Sequence, residues 1–252
     1  MLYKLSLIAL LFGGMTAHAQ DRIFVRPGAQ GANNGQNWAN AYTVLQQALA
    51  AALAGDTVWV AAGEYRPTTD GDRLRSFAPR SGVRLFGGFA GTESQLSERD
   101  WRAHPSVLSG DLGIQGDSAD NTYNVLYLDN PDSSTVVDGF FVQHGCADYL
   151  SNDLFAKDRK KSGGGLYVMG EDGDAYADIR NCVFRYNDAL SFGGGAMVNG
   201  AGAGSVACRF LGCEFEQNRS RLDGGGLYRL GSGWVDRYPL LGYGFNGNVE
   251  IS

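Results

Sequence analysis

The sequence predicts an all-β protein, a right-handed parallel β-helix (a solenoid) with an N-terminal capping helix. Three observations lead to this prediction: a spacing of about thirty residues between glycine triplets, a second motif that recurs at the same spacing, and short apolar runs broken by Gly, Asp and Asn. The triplets begin at Gly163, Gly193 and Gly224, which are 30 and 31 positions apart. A period of this length is typical of stacked supersecondary units.

The second motif is Phe-x-x-Asn, preceded by Cys. IRNCVFRYN, residues 179–187, aligns with FLGCEFEQN, residues 210–218, at an offset of 31 positions. The alignment places three pairs of like residues over each other: Cys182 and Cys213, Phe184 and Phe215, Asn187 and Asn218. We expect these six residues to form a structural stack through successive turns of the chain.

The residues between the motifs favour strands over helices. Helical repeats of this length need two amphipathic helices, whereas GGGLYVMGEDGDAYADIRNCVFRYN contains only short apolar runs bounded by turn residues. Strands that recur once per repeat and stack on themselves form parallel sheets. Because crossovers between parallel strands are almost always right-handed, the predicted solenoid is right-handed too.

Alternation within the repeat predicts which side chains face the core. Cys182 and Phe184 should point inward, with Val183 and Arg185 outward and Arg185 beside Glu216 of the next repeat. Asn187 and Asn218 stand where each strand must bend, and Asn tolerates left-handed backbone and can form a ladder of stacked amides. The glycine triplets would provide turns with positive φ.

Another strand of the repeat leaves two alternatives open. If Leu166, Ala196 and Leu227 point inward, Val168 and Val198 do so too, but the third repeat has Arg229 at that position. Either the last repeat is distorted, or the inward row consists of the neighbouring residues, namely Tyr167, Met197 and Tyr228.

Residues 1–19 are predicted to be a signal peptide. Lys4 is followed by an apolar stretch too short to span a bilayer, and Ala17-His18-Ala19 resembles a cleavage site. The expected mature chain starts at Gln20 and is exported, so we expect a secreted or cell-surface location without a transmembrane segment after cleavage.

Residues 20–55 are predicted to hold a first strand, Asp21 to Val25, and the capping helix, Tyr42 to Ala54. The helix presents Leu45, Leu49 and Leu53 on one face and ends at Gly55, which suits it to covering the open core end of a solenoid. Residues 56–252 form the predicted β-helix, with further strands expected at 57–61, 83–86, 124–128 and 135–142.

Composition limits the partners of this chain. It has 252 residues with a formal net charge of -6, which fits one domain and argues against nucleic acid as a partner. Glycine is frequent at 37 residues, and aromatic residues at 12% exclude a low-complexity disordered chain. Cys146, Cys182, Cys208 and Cys213 could pair in three ways or remain small buried hydrophobic residues, and the latter is favoured.

These motifs resemble those of known protein families. FRYN and FEQN, with GGGA and GGGL, are similar to the repeats of polymorphic outer-membrane proteins, and residues 25–67 and 85–101 resemble secreted bacterial β-helix proteins of the pectin-lyase-like superfamily. The resemblance covers most of residues 23–228 and implies the β-helix fold. Members of such families are often long surface proteins with a C-terminal anchor or secretion domain, which this sequence does not show, so a truncated chain is one expectation.

The best catalytic candidates are acidic. Asp172, Asp174, Asp178 and Arg180 could act as in pectate-lyase-like enzymes, where carboxylates hold Ca²⁺ and a base removes a proton from the sugar. The turn-rich composition of this segment favours a plain loop, so we predict no metal site and no cofactor. Ca²⁺ would be expected only if the protein were such an enzyme. Asp111, Asp117 and Asp120 could supply the paired carboxylates of a hydrolase, and His104 and His144 fit no catalytic arrangement.

The predicted function is therefore an exported cell-surface or extracellular interaction module, adhesin-like or glycan-binding, without an evident catalytic site. Exposed aromatic residues on a long stacked surface would suit a polysaccharide or a surface protein as partner. The candidates are Tyr149, Tyr176, Tyr186, Trp234 and Tyr238. Two alternatives stay open: a polysaccharide lyase or glycoside hydrolase of the pectin-lyase-like type, and a structural fragment of a larger surface protein.

Overall fold

The protein is all-β, with parallel strands arranged in stacked parallel sheets. The structure is a computed structural model that describes residues 21–150, 158–170, 175–200, 206–231 and 249–251. This arrangement is consistent with a parallel β-helix or solenoid.

The strands are short, and one α-helix, α1 (Leu45–Ala51), lies between the first two of them. Two 3-10 turns span Leu96–Glu98 and Ser118–Asp120. The strands in chain order are β1 Arg22–Val25, β2 Thr57–Ala61, β3 Gly63–Tyr65, β4 Arg84–Phe89, β5 Ser106–Ser109, β6 Leu126–Asp129, β7 Val136–Asp138, β8 Phe140–Gln143, β9 Cys146–Ala147, β10 Leu166–Met169, β11 Ala175–Arg180, β12 Val183–Arg185, β13 Asp188–Ala189, β14 Ala196–Gly200, β15 Val206–Leu211, β16 Glu214–Glu216, β17 Arg219–Ser220, β18 Leu227–Gly231 and β19 Val249–Ile251.

In the described part of the chain, the strands form four sheets, which the chain visits in a recurring order. Sheet A has the order β1-β2-β4-β7-β11-β15, sheet B the order β16-β12-β8-β5-β3, sheet C the order β19-β18-β14-β10-β6 and sheet D the order β17-β13-β9. From β11 onward the path runs through sheets A, B, D and C and then repeats in β15 to β18. Each pass therefore lays one strand on each sheet beside the strand of the pass before.

The register of these strands follows the repeat spacing. Phe184 lies opposite Phe215, with ring centroids 5.0 Å apart and nearly parallel planes, and Ile179 lies opposite Phe210. These side chains are buried in one apolar cluster that also contains Cys182. Residues 31 positions apart thus occupy equivalent places in the core.

Asn187 and Asn218 form a ladder of buried amides inside this stack. The main-chain and side-chain N–H groups of Asn187 donate to Asn218 Oδ1 at 3.1 and 3.0 Å, and Asn187 Oδ1 accepts from Gly145 N at 2.9 Å. Asn187 Nδ2 also donates to Val142 O, and Asn218 Nδ2 donates to Phe184 O. Each amide therefore joins its own pass of the chain to its neighbours.

Each glycine triplet occurs together with a Phe-x-x-Asn motif because the Asn amide needs space beside the third glycine. A Cβ atom on Gly165 would lie 2.8 Å from Asn187 Nδ2, and one on Gly195 would lie 3.0 Å from Asn218 Nδ2. The third glycine of a triplet thus leaves the space that the ladder amide occupies.

Left-handed backbone occurs one residue earlier than the sequence predicts. Tyr186 and Gln217 have φ values of 55° and 51°, whereas Asn187 and Asn218 are not in the left-handed region. The turn at the preceding residue directs each Asn side chain into the interior, where it is buried. Positive φ occurs as expected at the first glycine of each triplet: Gly163, Gly193 and Gly224.

Strands β10, β14 and β18 of sheet C carry a buried row of side chains on each face, and neither alternative for the inward row holds as stated. Leu166, Ala196 and Leu227 belong to the main core, while the neighbouring row forms a second cluster with Phe192 on the opposite face. Arg229 keeps the register, opposite Val198, and is 8% exposed. The third repeat therefore places a buried arginine in the inward row.

Val183 is buried rather than solvent-exposed, because another segment covers this part of sheet B. Its register neighbours are Phe141 and Glu214. Trp101 packs against Phe141, and Arg102 forms an ion pair of 2.5 Å with Glu214.

The N-terminal helix is shorter than predicted. Leu45 and Leu49 are buried in the main core, but Leu53 lies beyond the helix end and is 41% exposed. Asp56 is the physical reason, because its carboxylate accepts hydrogen bonds from the main-chain N–H groups of Leu53 and Asp21. These bonds turn the chain toward β2 before another helical turn can form.

The four cysteines are free and buried. Burial raises the pKa of the Cys146 and Cys208 thiols to about 12. These side chains thus pack as small apolar groups, which was the favoured alternative.

Replacing Asn187 with Ala is expected to destabilise the fold strongly. The change leaves buried hydrogen-bonding groups such as Gly145 N–H unpaired, and each such group should lower the free energy of unfolding by about 1–3 kcal/mol. Urea unfolding measures this decrease. Gln217→Ala, at an exposed position beside the ladder, is the control and should change the unfolding free energy far less. Equal losses in the two variants would show that the ladder does not stabilise the stack.

Candidate functional site

The outer face of sheet A carries the candidate site, which we call the Asp178 groove. Along β11 the side chains of Ala175, Ala177 and Ile179 face the core. Because strand side chains alternate, Tyr176 and Asp178 face outward. The alternation therefore places an aromatic ring and a carboxylate on the same surface.

The Asp178 carboxylate is held between two arginines. Arg209, its register partner on β15, contacts both carboxylate oxygens, with Nε to Oδ1 at 2.8 Å and Nη2 to Oδ2 at 3.1 Å. Arg180, two residues further along β11, forms a second ion pair with Asp178. One of these contacts, from Nη2 to Oδ2, is a hydrogen bond, and the three side chains together carry a formal net charge of +1.

Asp178 and Arg209 line a groove of about 440 Å³. Its walls also include Ser133, Ala207 and the exposed ring of Tyr176, which is 38% accessible. An accessible ring beside fixed charged groups can stack on a flat apolar surface while hydrogen-bonding a polar rim.

The structure brings together only part of the predicted catalytic set. Asp178 and Arg180 are adjacent and paired, whereas Asp172 and Asp174 lie outside the described residues. The register partners of Asp178 are Val136 and Arg209, so neither adjacent strand places a second carboxylate beside it. Within the described ranges, no three His, Cys, Asp or Glu side chains come close enough to share a metal ion.

Sequence reasoning missed Arg209, although the repeat itself points to it. Arg209 stands 31 positions after Asp178, the same offset that relates the two Phe-x-x-Asn motifs. The same offset that places Arg185 beside Glu216, applied to Asp178, pairs the two side chains.

The three acidic residues considered for a hydrolase all lie in one loop between β5 and β6. Asp117 Oδ1 accepts from Ala119 N, Asp111 Oδ2 from Gly116 N and Asp120 Oδ2 from Ile114 N. The three residues therefore belong to one loop rather than to neighbouring strands of a sheet.

His144 is half-buried at the end of β8, with φ of 62°. Burial lowers its pKa, and the nearby Arg185 lowers it further, while the Asp111 and Glu64 carboxylates oppose the shift. Its imidazole lies 5.9 Å from the Tyr186 ring.

Three of the aromatic residues expected on the surface are exposed in the structure: Tyr149, Tyr176 and Tyr186. Trp234 and Tyr238 lie outside the described residues. Of the exposed three, Tyr176 belongs to the Asp178 groove.

The chain matches no protein-family model, no curated protein and no solved structure. The family resemblance therefore depends on the repeat motifs and the N-terminal stretches of the sequence. Within the described part of the chain, none of the helices has the length and apolar character needed to cross a bilayer.

Protonation of His144 should destabilise the folded protein. Its folded-state pKa is lowered, so the unfolded chain binds more protons as the pH falls below about 6.5, the unperturbed pKa of His. The free energy of unfolding should be highest above that pH and should decrease between about pH 7 and pH 5.5. Urea unfolding across this range measures the slope.

The matched variants are His144→Asn and His104→Asn. Asn accepts the left-handed backbone of position 144, so the first variant should reduce the slope without disturbing the turn. A slope that survives in His144→Asn and disappears in His104→Asn would contradict the assignment.

Proposed function

We propose that this protein is an exported interaction module that binds glycans bearing carboxylate groups in the Asp178 groove. It would act at the cell surface or outside the cell, as an adhesin-like β-helix of the pectin-lyase-like type with repeats like those of polymorphic outer-membrane proteins. In this proposal the solenoid is right-handed and α1 caps its N-terminal end.

The observation that carries the proposal is the exposed Tyr176 ring beside the Arg209–Asp178 ion pair. A sugar ring has an apolar face that stacks on an aromatic side chain and a rim of hydroxyls that needs fixed donors and acceptors. The surplus positive charge from Arg180 favours sugars that carry a carboxylate.

The parallel sheets support an extended ligand. Sheet A continues on both sides of β11, so a chain molecule lying across the strands would meet successive passes of the protein at one strand spacing of about 4.8 Å.

The interaction module is preferred over the lyase alternative because Asp178 is already neutralised by two guanidiniums. A lyase of the pectate type needs carboxylates free to hold Ca²⁺, whereas here Arg209 occupies the neighbouring position on β15.

Replacing Tyr176 with Ala should weaken glycan binding about tenfold, in line with the loss of one aromatic stacking contact. Isothermal titration of uronic-acid and neutral polysaccharides into the purified full chain measures the affinities. The matched control is Tyr149→Ala, which removes a similarly exposed ring after β9 and should leave binding unchanged.

Unsaturated or reducing ends appearing during incubation with these polysaccharides would replace the binding proposal with the enzyme alternative. Binding to none of them, or equal weakening by both Tyr variants, would contradict a glycan site in this groove.

A further inference from the structure

The loop between β5 and β6 contains a cluster of oxygen donors that the proposed groove does not use. Residues 110–121 read GDLGIQGDSADN, and a hydrogen bond of 2.9 Å from Thr122 N to Gly110 O closes the loop at its base. We call this segment the Asp111 loop. It holds two acidic side chains turned inward and one buried amide.

Both inward carboxylates point at the same short piece of main chain. Asp111 Oδ2 accepts from Gly116 N at 3.1 Å, and Asp120 Oδ2 accepts from Ile114 N at 2.7 Å. Because Ile114 and Gly116 are two residues apart, the two carboxylates lie on the inside of one loop.

Three further side-chain oxygens of this loop, one each on Asp111, Asp120 and Asn121, are buried without a donor. In the described part of the chain, no hydrogen-bond partner reaches Asp111 Oδ1, Asp120 Oδ1 or Asn121 Oδ1, and all three atoms are shielded from solvent. The Asp111 and Asn121 side chains are each only 6% exposed. Buried polar groups in folded proteins nearly always have a partner, and an ionised carboxylate is the most costly group to leave without one.

We propose that the Asp111 loop binds a Ca²⁺ ion through Asp111, Asp120 and Asn121. The three unpartnered atoms are hard oxygen donors, which suit Ca²⁺, while the loop offers neither the imidazole nor the thiolate that Zn²⁺ prefers. Main-chain carbonyls and water complete the six to eight ligands of the ion.

Two carboxylates and one amide make a site of modest affinity. Sites with few charged ligands in extracellular modules bind Ca²⁺ with dissociation constants of about 10⁻⁴–10⁻³ M. The nearby Arg73 donates to the main-chain oxygen of Asn121 at 2.6 Å, but its guanidinium is paired with Asp148, so the positive charge is compensated outside the loop.

Binding would join the two ends of the loop through the ion and hold β5 and β6 in their relative positions. Because the unfolded chain has no such site, Ca²⁺ should raise the midpoint of thermal unfolding in a concentration-dependent way. Mg²⁺ should raise it less, since it requires a stricter octahedral geometry.

The test is equilibrium dialysis of chelator-treated full-length protein against radioactive Ca²⁺, with thermal unfolding in parallel. We expect one saturable site in the wild type and at least tenfold weaker binding in Asp120→Asn. Asp117→Asn is the matched control: Asp117 lies in the same loop, is exposed, and its hydrogen bond to Ala119 N can be kept by Asn. Its affinity should equal that of the wild type.

The Asn121→Asp variant tests the same site by adding a charged ligand instead of removing one. Adding a third carboxylate should tighten Ca²⁺ binding about tenfold, because affinity rises with ligand charge. The proposal fails if the wild type binds no Ca²⁺ at about 10 mM, if Asp117→Asn weakens binding as much as Asp120→Asn, or if Asn121→Asp leaves the affinity unchanged.

Discussion

The main-chain hydrogen bonds between successive passes of the chain are the constraint on which the rest of the structure depends. In a parallel sheet each strand must take its donors and acceptors from the strands beside it, and here those strands lie about thirty residues away in sequence. Each side chain therefore has to pack against two others, one about thirty residues earlier in the sequence and one about thirty residues later. Phe184 over Phe215 and Asn187 beside Asn218 are products of this requirement. The same requirement places Arg209 over Asp178, which shows that the register organises charged surface residues as well as the core.

The turns have to repeat as faithfully as the strands. The left-handed residue, the ladder amide and the third glycine of the triplet act as one unit: Tyr186 turns the chain, Asn187 bonds the neighbouring passes, and Gly165 leaves room for the amide. This unit explains why Phe-x-x-Asn and the glycine triplet occur together in the sequence. Between these turns the outward positions of the strands are less constrained, so that sheet A can carry the Asp178 groove without changing the core.

The sequence predicts well those elements that arise from a regular spacing of residue types. The 31-residue offset aligns the strand partners, and the alternation in Ala175–Arg180 separates the core side chains from the surface side chains. The errors arise where particular side-chain contacts override a local preference. Asp56 ends the helix before Leu53, and Trp101 and Arg102 cover the outward face beside Val183. Arg209 could have been predicted from the offset, but the unpartnered oxygens of the Asp111 loop could not, because they depend on how a loop without a repeat folds.

The central claim is that residues 31 positions apart on sheet B are direct neighbours, and disulfide trapping tests it most directly. Register partners on adjacent parallel strands are about 4.8 Å apart, within the range that a disulfide spans, whereas a pair offset by two residues is about 8 Å apart. With the four native cysteines replaced by Ala, Arg185→Cys combined with Glu216→Cys should form a disulfide under mild oxidation, detected by peptide mapping. Arg185→Cys combined with Glu214→Cys should remain reduced. Cross-linking of the offset pair in preference to the register pair would contradict the stacked arrangement from which the core, the turns and the groove are derived.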